Sequence, residues 1–203
     1  FFLHGLKQQN NIKGLFVEPS HSLEAIERLD ERSVIAEACS VIDSIEIRDG
    51  KLIGTFSMAE GLAKTLYAKA ALTDKKIALI GANSYAKAVL MALCSFNPKE
   101  IMLCDVFLED ALKLSEEIKS LTAYGRFDFA RVASDVNIDM SDVTAVINLS
   151  SSGSKADDAF ISMSKLAPET ILVDMAKVES ENEPYLISYA KKNGNSYMDV
   201  YYL

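Results

Sequence analysis

The segment Lys75–Leu93, KKIALIGANSYAKAVLMAL, holds the residues whose spacing points most directly to chemistry. A short apolar run ends on Gly81, and an alanine-rich helical pattern follows. In a βαβ unit such a glycine turn feeds a helix whose first N–H groups lack intrahelical partners and attract an anion. Against the dinucleotide fingerprint G-x-G-x-x-G/A the chain reads Gly81-Ala82-Asn83-Ser84-Tyr85-Ala86, matching at the first and last positions, with Asn83 at the middle glycine. Asparagine tolerates positive φ better than most residues, which would let the turn survive, although its side chain would crowd the phosphates. The next apolar run ends on Asp105. An acidic residue about 20 positions beyond the glycine holds the ribose hydroxyls in NAD-binding units and repels the 2′-phosphate of NADP. The alternative is that Asp105 caps the turn that follows. Asn148–Ser154, NLSSSGS, ends a further strand pattern, so Ser150 is a cofactor contact or part of an ordinary turn. The candidate cofactor site is therefore Gly81, Ala82, Asn83, Ser84, Asp105 and Ser150. It would take NAD or NADP, with NAD favoured by Asp105, or hold no cofactor at all.

These residues need a scaffold, and the pattern from Lys75 onward supplies one. The strand-like runs KIALIG, EIMLCD, TAVINLS, TILVDM and SYMDV alternate with the helix-like SYAKAVLMALCSF, EDALKLSEEIKSL, ADDAFISMSKLA and EPYLISYAKKNG. Five apolar strands with helical crossovers predict an α/β fold with a doubly wound parallel sheet. Earlier residues have another texture. GLFVEP is strand-like, and SLEAIERLDE sets Leu23, Ile26 and Leu29 at helical spacing behind Ser22 as N-cap. Two strand-like runs flank Asp49-Gly50, a hairpin signal, and MAEGLAKTLYAKAAL is helical. The expected architecture is part of a small α/β substrate-binding domain over 1–70 and a Rossmann-like dinucleotide-binding domain over 71–203.

Composition narrows the function classes. The chain has 203 residues, 49% hydrophobic and 25% charged, with a net charge of −8. That balance and the lack of a basic stripe argue against nucleic acid. No apolar run approaches the roughly 20 residues of a membrane span. Cys39, Cys94 and Cys104 are odd in number, widely spaced and without a C-x-x-C pair, so they read as buried small apolar residues. Two histidines argue against a zinc site, and no metal is expected. A reducing, cytoplasmic setting fits. The chain begins without methionine or a signal-peptide pattern and ends on a strand-like run, as a piece of a longer protein would.

The order of these features resembles the shikimate dehydrogenase family over nearly the whole chain. KGLFVEPSH is similar to the family's G-x-N-V-T-x-P-x-K strand, and ERLDE to a helix ending L-D-E. CSVIDS and DGKLIGTFSMAEG stand in the places of A-V-N-T and d-G-x-L-x-G-x-N-T-D. GANSYAKA looks like G-A-G-G-A-x-x-A, and VINLSSSG like I-N-x-T-x-x-G. ILVDMAKVESENEPYLISYAKKNG is similar to V-x-D-x-x-Y, then T-P-L, then A-x-x-x-G. The resemblance implies reduction of 3-dehydroshikimate with NADPH, in aromatic amino acid biosynthesis, by a lysine and an aspartate in a cleft between two domains. It also implies an S-x-S substrate motif before Phe1 and a closing helix after Leu203.

Several positions depart from that pattern. His21 or Ser22 stands at the lysine, Met58 at the aspartate, and Phe56 at the asparagine of N-T-D. Ile42 or Asp43 stands at the A-V-N-T asparagine, and Lys177 at the later tyrosine. Asp105-Val106-Phe107 replaces the N-R-T of many NADP enzymes. Methionine cannot relay a proton, so a polar cleft has become partly apolar. Two readings follow. One is a shikimate dehydrogenase-like oxidoreductase for a small hydroxy/keto acid with its catalytic residues replaced. The other is an inactive binding or structural domain of a larger protein. His21 is the candidate general acid, against an exposed loop histidine. Glu18, Ser57 and Lys177 are the candidate contacts to an acidic substrate. A second copy or neighbouring domains are the candidate partners.

Overall fold

The computed structural model describes residues 2–9, 11–133, 137–153, 166–176 and 183–199. The first elements are α1 (Phe2–Leu6), β1 (Gly14–Phe16), a 3-10 turn (Pro19–His21), α2 (Ser22–Ile26), β2 (Glu31–Arg32), α3 (Val34–Cys39), β3 (Ser44–Arg48) and β4 (Lys51–Thr55). The four strands form a small mixed sheet in the order β1-β3-β4-β2. The β3–β4 hairpin forms as its sequence predicts. Asp49 (φ 51) and Gly50 (φ 72) are both left-handed, and Arg48 pairs with Lys51.

The α2 region corrects two expectations. The helix stops at Ile26 instead of running through ERLDE. Its chain is captured by β4: the Asp30 N–H donates to the Leu52 carbonyl, and the Leu52 N–H donates to Asp30 Oδ2 at 2.7 Å. Leu29 falls beyond the helix, and Leu23 is 68% exposed. Nor is Ser22 the N-cap. His21 holds that position without a side-chain cap bond, while the buried Ser22 hydroxyl accepts the Ile42 N–H at 2.8 Å. A buried amide outside any ladder needs such a partner, and that need outweighs the cap.

The remaining elements are α4 (Ser57–Ala70), β5 (Lys76–Ile80), α5 (Ser84–Cys94), β6 (Glu100–Asp105), α6 (Leu108–Thr122), β7 (Phe127–Arg131), β8 (Val143–Asn148), β9 (Ile171–Asp174), α7 (Tyr185–Asn193) and β10 (Tyr197–Asp199). Six strands pair in parallel in the order β10-β9-β8-β5-β6-β7. The predicted parallel sheet is present with one strand more than the five expected. The extra strand is β7, whose FDFAR run sits half-exposed at an edge and so lacks the continuous apolar signature of a buried strand. The helix predicted over ADDAFISMSKLA lies almost wholly outside the described residues.

Chain order reverses at β5, which has β6 on one side and β8 on the other. In such sheets the ligand crevice opens at that switch point, beyond the carboxyl ends of the strands. Helix α5 leaves from there and is buried nearly all round, between the sheet and the helices α3, α4 and α6. Ala86, Ala88 and Ala92 let its neighbours approach closely. On the other face of the sheet Leu186 and Ala190 of α7 pack over Ala78, Val146 and Leu172. Phe56 and Cys39 join the core that α5 organises, so the small sheet's connections are packed into the larger one.

All three cysteines are free. Burial pushes the Cys39 thiol up to about 11 and those of Cys94 and Cys104 to about 12, as expected of inert packing residues. No helix among the described residues is long and apolar enough to cross a membrane. Enlarging a fully buried position in α5 should strain all its neighbours. Ala88→Leu is expected to cost about 1–3 kcal/mol in urea unfolding, and Leu121→Ala on the exposed side of α6 to stay within about 0.5 kcal/mol.

Candidate functional site

Gly81 fixes the geometry of the crevice. Its N–H donates to the Cys104 carbonyl of β6, and the preceding Ile80 carbonyl accepts from Leu149 beyond β8. The residue turns with φ 99, and a Cβ placed on it would lie 2.9 Å from the Ser150 nitrogen and 3.1 Å from the Ser150 Cα. Only glycine permits both the turn and this approach. Because Gly81 supplies the positive φ, Asn83 does not need it. Asn83 is extended (φ −103, ψ −177), which corrects the expectation of a left-handed asparagine. It is instead the N-cap of α5: Oδ1 accepts the Ala86 N–H at 2.9 Å, and Nδ2 donates to the Leu149 carbonyl at 2.8 Å.

Asp105 closes the other side. Its Oδ2 accepts the Ala82 N–H at 2.8 Å and its Oδ1 the Phe107 N–H at 2.9 Å. The carboxylate thus caps its own turn and braces the glycine turn together. A carboxylate has about four acceptor sites, so these two bonds leave capacity for a ligand's hydroxyls. Gly81, Ala82, Asn83, Asp105 and Ser150 line one cavity of about 300 Å³, with Val106, Phe107 and Asp110. Five of the six candidate cofactor residues are therefore brought together. Ser84, the first residue of α5, is exposed outside that lining.

Two residues at the strand ends beside the cavity were not among the candidate site residues. Asp174 ends β9 at 2% exposure, opposite Asn148 at the end of β8. It accepts from Asn148 Nδ2 at 2.9 Å and from the Ala176 and Leu186 amides at 3.0 Å each. Burial raises its carboxyl to about 6, against the lowering effect of those bonds. The available signal was an acid and an amide closing two otherwise apolar strands at the crevice end.

The other candidates lie elsewhere. Glu18 and His21 are exposed and line a separate cavity of about 400 Å³ with Leu15, Phe16, Ala25 and Arg28. Lys177 lies outside the described residues. Ser57 is the first residue of α4, where Asp43 caps the helix from across the small sheet. Asp43 Oδ1 accepts from the Ser57 amide (2.7 Å) and hydroxyl (2.9 Å), and Oδ2 from the Met58 amide (2.6 Å). The Ser44 hydroxyl also bonds Asp43 and lies 2.7 Å from that of Thr55. Of the two residues standing at the A-V-N-T asparagine, Ile42 is in the core and Asp43 in this polar network. Phe56 is 1% exposed with its ring edge-on to Tyr85, 5.3 Å between centroids, so it is packing and not a cleft surface. Burial, and then the Asp43 charge, raise the Tyr85 phenol. No group of three or more potential metal ligands occurs among the described residues.

No protein-family model matches the chain. In sequence it is 27% identical over 187 residues to the shikimate dehydrogenase (NADP(+)) of Methanosphaera stadtmanae, a match covering 91% of this chain and 65% of that one. In fold it is similar to the 5-ketofructose reductase of Gluconobacter sp. strain CHM43, with TM-score 0.81, 19% identity, and 98% and 71% of the two chains covered. It is also similar to a shikimate dehydrogenase solved in complex with NADP+, with TM-score 0.73, 24% identity, and 97% and 68% covered. The chain spans about 65% of the length of the curated relatives it matches. The sheet order and the glycine turn at its switch point define a Rossmann-like α/β protein. Within that class the chain is similar in sequence and in fold to shikimate dehydrogenases, in line with the resemblance its motifs carry.

Gly81→Ala combines left-handed strain with a backbone collision. It is expected to lower stability by about 2–5 kcal/mol in urea titrations. Asp174 has a raised native pKa, so the folded state binds its proton more tightly than an unfolded carboxyl near 3.9 does. Its contribution is full below about pH 4 and is lost as pH rises through about 6. Asp174→Asn should remove roughly 2–3 kcal/mol of that pH dependence, measured as stability at pH 4 minus stability at pH 7. An unchanged pH profile would contradict the assignment.

Proposed function

We propose that the chain is the nucleotide-binding part, with the adjoining small sheet, of an NAD(P)-dependent oxidoreductase of the shikimate dehydrogenase type. Its substrate is a small hydroxy/keto compound. The observation that carries this reading is the convergence of Gly81, Ala82, Asn83, Asp105 and Ser150 on one cleft at the sheet's switch point. A nicotinamide nucleotide would supply the hydride chemistry there. Asp105, already oriented by two amides, would accept the ribose hydroxyls, and Val106, Phe107 and Val132 offer apolar surface for a base. The cavity is lined by Asp105 and Asp110, with no cationic side chain among the described residues. A 2′-phosphate would meet two carboxylates, so NAD is favoured over NADP, unlike the relatives named for NADP(+). On the substrate side, Ser44, Thr55, Ser57 and Asp43 suit hydrogen bonding to a hydroxylated substrate. His21 and Glu18 carry no step in this proposal, because they line the other cavity.

A second reading is a catalytically inactive domain. It is favoured by Phe56 being sealed in the core, and Met58 half-buried against it, where the resemblance assigns polar and acidic residues. Nucleotide titration tests both. NAD at millimolar concentration should raise the melting temperature and give a binding heat, with NADP at least about tenfold weaker, or about 1.4 kcal/mol. Asp105→Ser should narrow that preference. If neither nucleotide shifts the melting temperature nor gives heat, the oxidoreductase reading fails. Binding of NAD without turnover of shikimate or related hydroxy acids would support the inactive domain.

A further inference from the structure

The cleft wall formed by Ser150–Ser152 hangs on one buried amide. Asn148 is fully buried, and all its polar positions are used. Its Nδ2 donates to Asp174 Oδ1 and to the Ser152 carbonyl, each at 2.9 Å. Its Oδ1 accepts both the Ser150 N–H at 3.0 Å and the Ser150 hydroxyl at 2.7 Å. An amide can face either way in such a pocket, and its neighbours decide. Asp174 decides here, because an ionised carboxylate only accepts and obliges the Asn148 NH2 to turn toward it. The carbonyl end is then left for Ser150. Asp174 also fixes the far end of the loop. Its Oδ2 accepts the Leu186 N–H at 3.0 Å, and the neighbouring Tyr185 N–H donates to the Gly153 carbonyl at 2.8 Å. On the opposite side the loop meets Gly81 backbone and the Asn83 amide, with no slack for a Cβ.

We propose that Asp174 is a positioning residue for the nucleotide cleft: by orienting Asn148 it sets the Ser150–Ser152 wall against Gly81 and so sets nucleotide affinity. Asp174 does not line the cavity and acts only through Asn148 and α7. The proposal rests on the nucleotide-binding reading above for its ligand.

The test uses the whole chain with four variants and NAD as the probe. Asn148→Asp sets two carboxylates face to face and should weaken NAD binding at pH 8 about tenfold or more. Asp174→Asn keeps the volume, frees the Asn148 orientation and should weaken binding several-fold. The double exchange Asn148→Asp with Asp174→Asn removes the carboxylate pair and restores one donor facing an acceptor, but takes their partners from the Ser152 carbonyl and the Ala176 N–H. It should therefore bind NAD more tightly than Asn148→Asp and more weakly than the unmodified chain. Thr170→Val removes a buried hydroxyl that bonds the Val143 carbonyl at the far end of the same strands. It should lower the melting temperature and leave NAD affinity unchanged. Amide hydrogen exchange without ligand gives a second readout: Ser150 and Ser152 should exchange at least about tenfold faster in Asp174→Asn and not in Thr170→Val. Unchanged NAD affinity and unchanged exchange in Asp174→Asn, whatever its melting temperature, would overturn the proposal. If the unmodified chain binds no NAD, the functional reading fails, and the exchange measurement alone still decides the positioning role. Should Asn148→Asp not fold, Asp174→Asn against Thr170→Val carries the comparison.

Discussion

Two stretches of backbone pass so closely at the switch point that no side chain fits between them. Gly81 and Ser150 share that contact, and the rest of the crevice is arranged around it. Gly81 takes the left-handed turn, which frees Asn83 to remain extended and cap α5. Asn83 then reaches across to the Leu149 carbonyl, and Asp105 reaches back to the Ala82 amide. The turn is thereby held from both neighbouring strands, and the cavity above it has backbone and short polar groups on the glycine side and Val106, Phe107 and Val132 on the other.

The same device recurs at three helix starts. Asp43 accepts amides at the head of α4, Asp105 at the turn into α6, and Asp174 at the head of α7. Amides at a helix N-terminus lack partners and carry partial positive charge, so they offset part of the cost of placing a carboxylate there, although at Asp174 burial still outweighs them. In a chain of net charge −8 this disposition matters. Of these braces Asp105 also faces the crevice, where with Asp110 it gives the cleft a negative lining. No buried side-chain nitrogen or oxygen among the described residues lacks a partner, so the braces form a closed network.

Much of this was legible in the sequence, for local reasons. Continuous apolar runs alternating with helical periodicity gave the parallel sheet, Asp49-Gly50 gave the hairpin, and a lone glycine after an apolar run gave the switch point. The misses are all long-range. Ser22 is claimed by the Ile42 amide, twenty positions away, and so does not cap α2. Helix α2 is cut short by β4, and β7 exists because β6 offers it an edge. Whether Phe56 faced a cleft or a core depended on where Tyr85 would lie. Asp174 and Asn148 could be read as polar ends of apolar strands, but that they bond each other follows from the register of those strands, which no local pattern records.

The most direct measurement is a backbone amide shift map by NMR on addition of NAD. Binding at the switch point predicts shifts concentrated at Gly81–Ser84, Asp105–Phe107 and Ser150–Ser152, with Glu18 and His21 unmoved. Shifts confined to the Glu18–His21 cavity, or none at all with saturating nucleotide, would contradict a nucleotide cleft at Gly81.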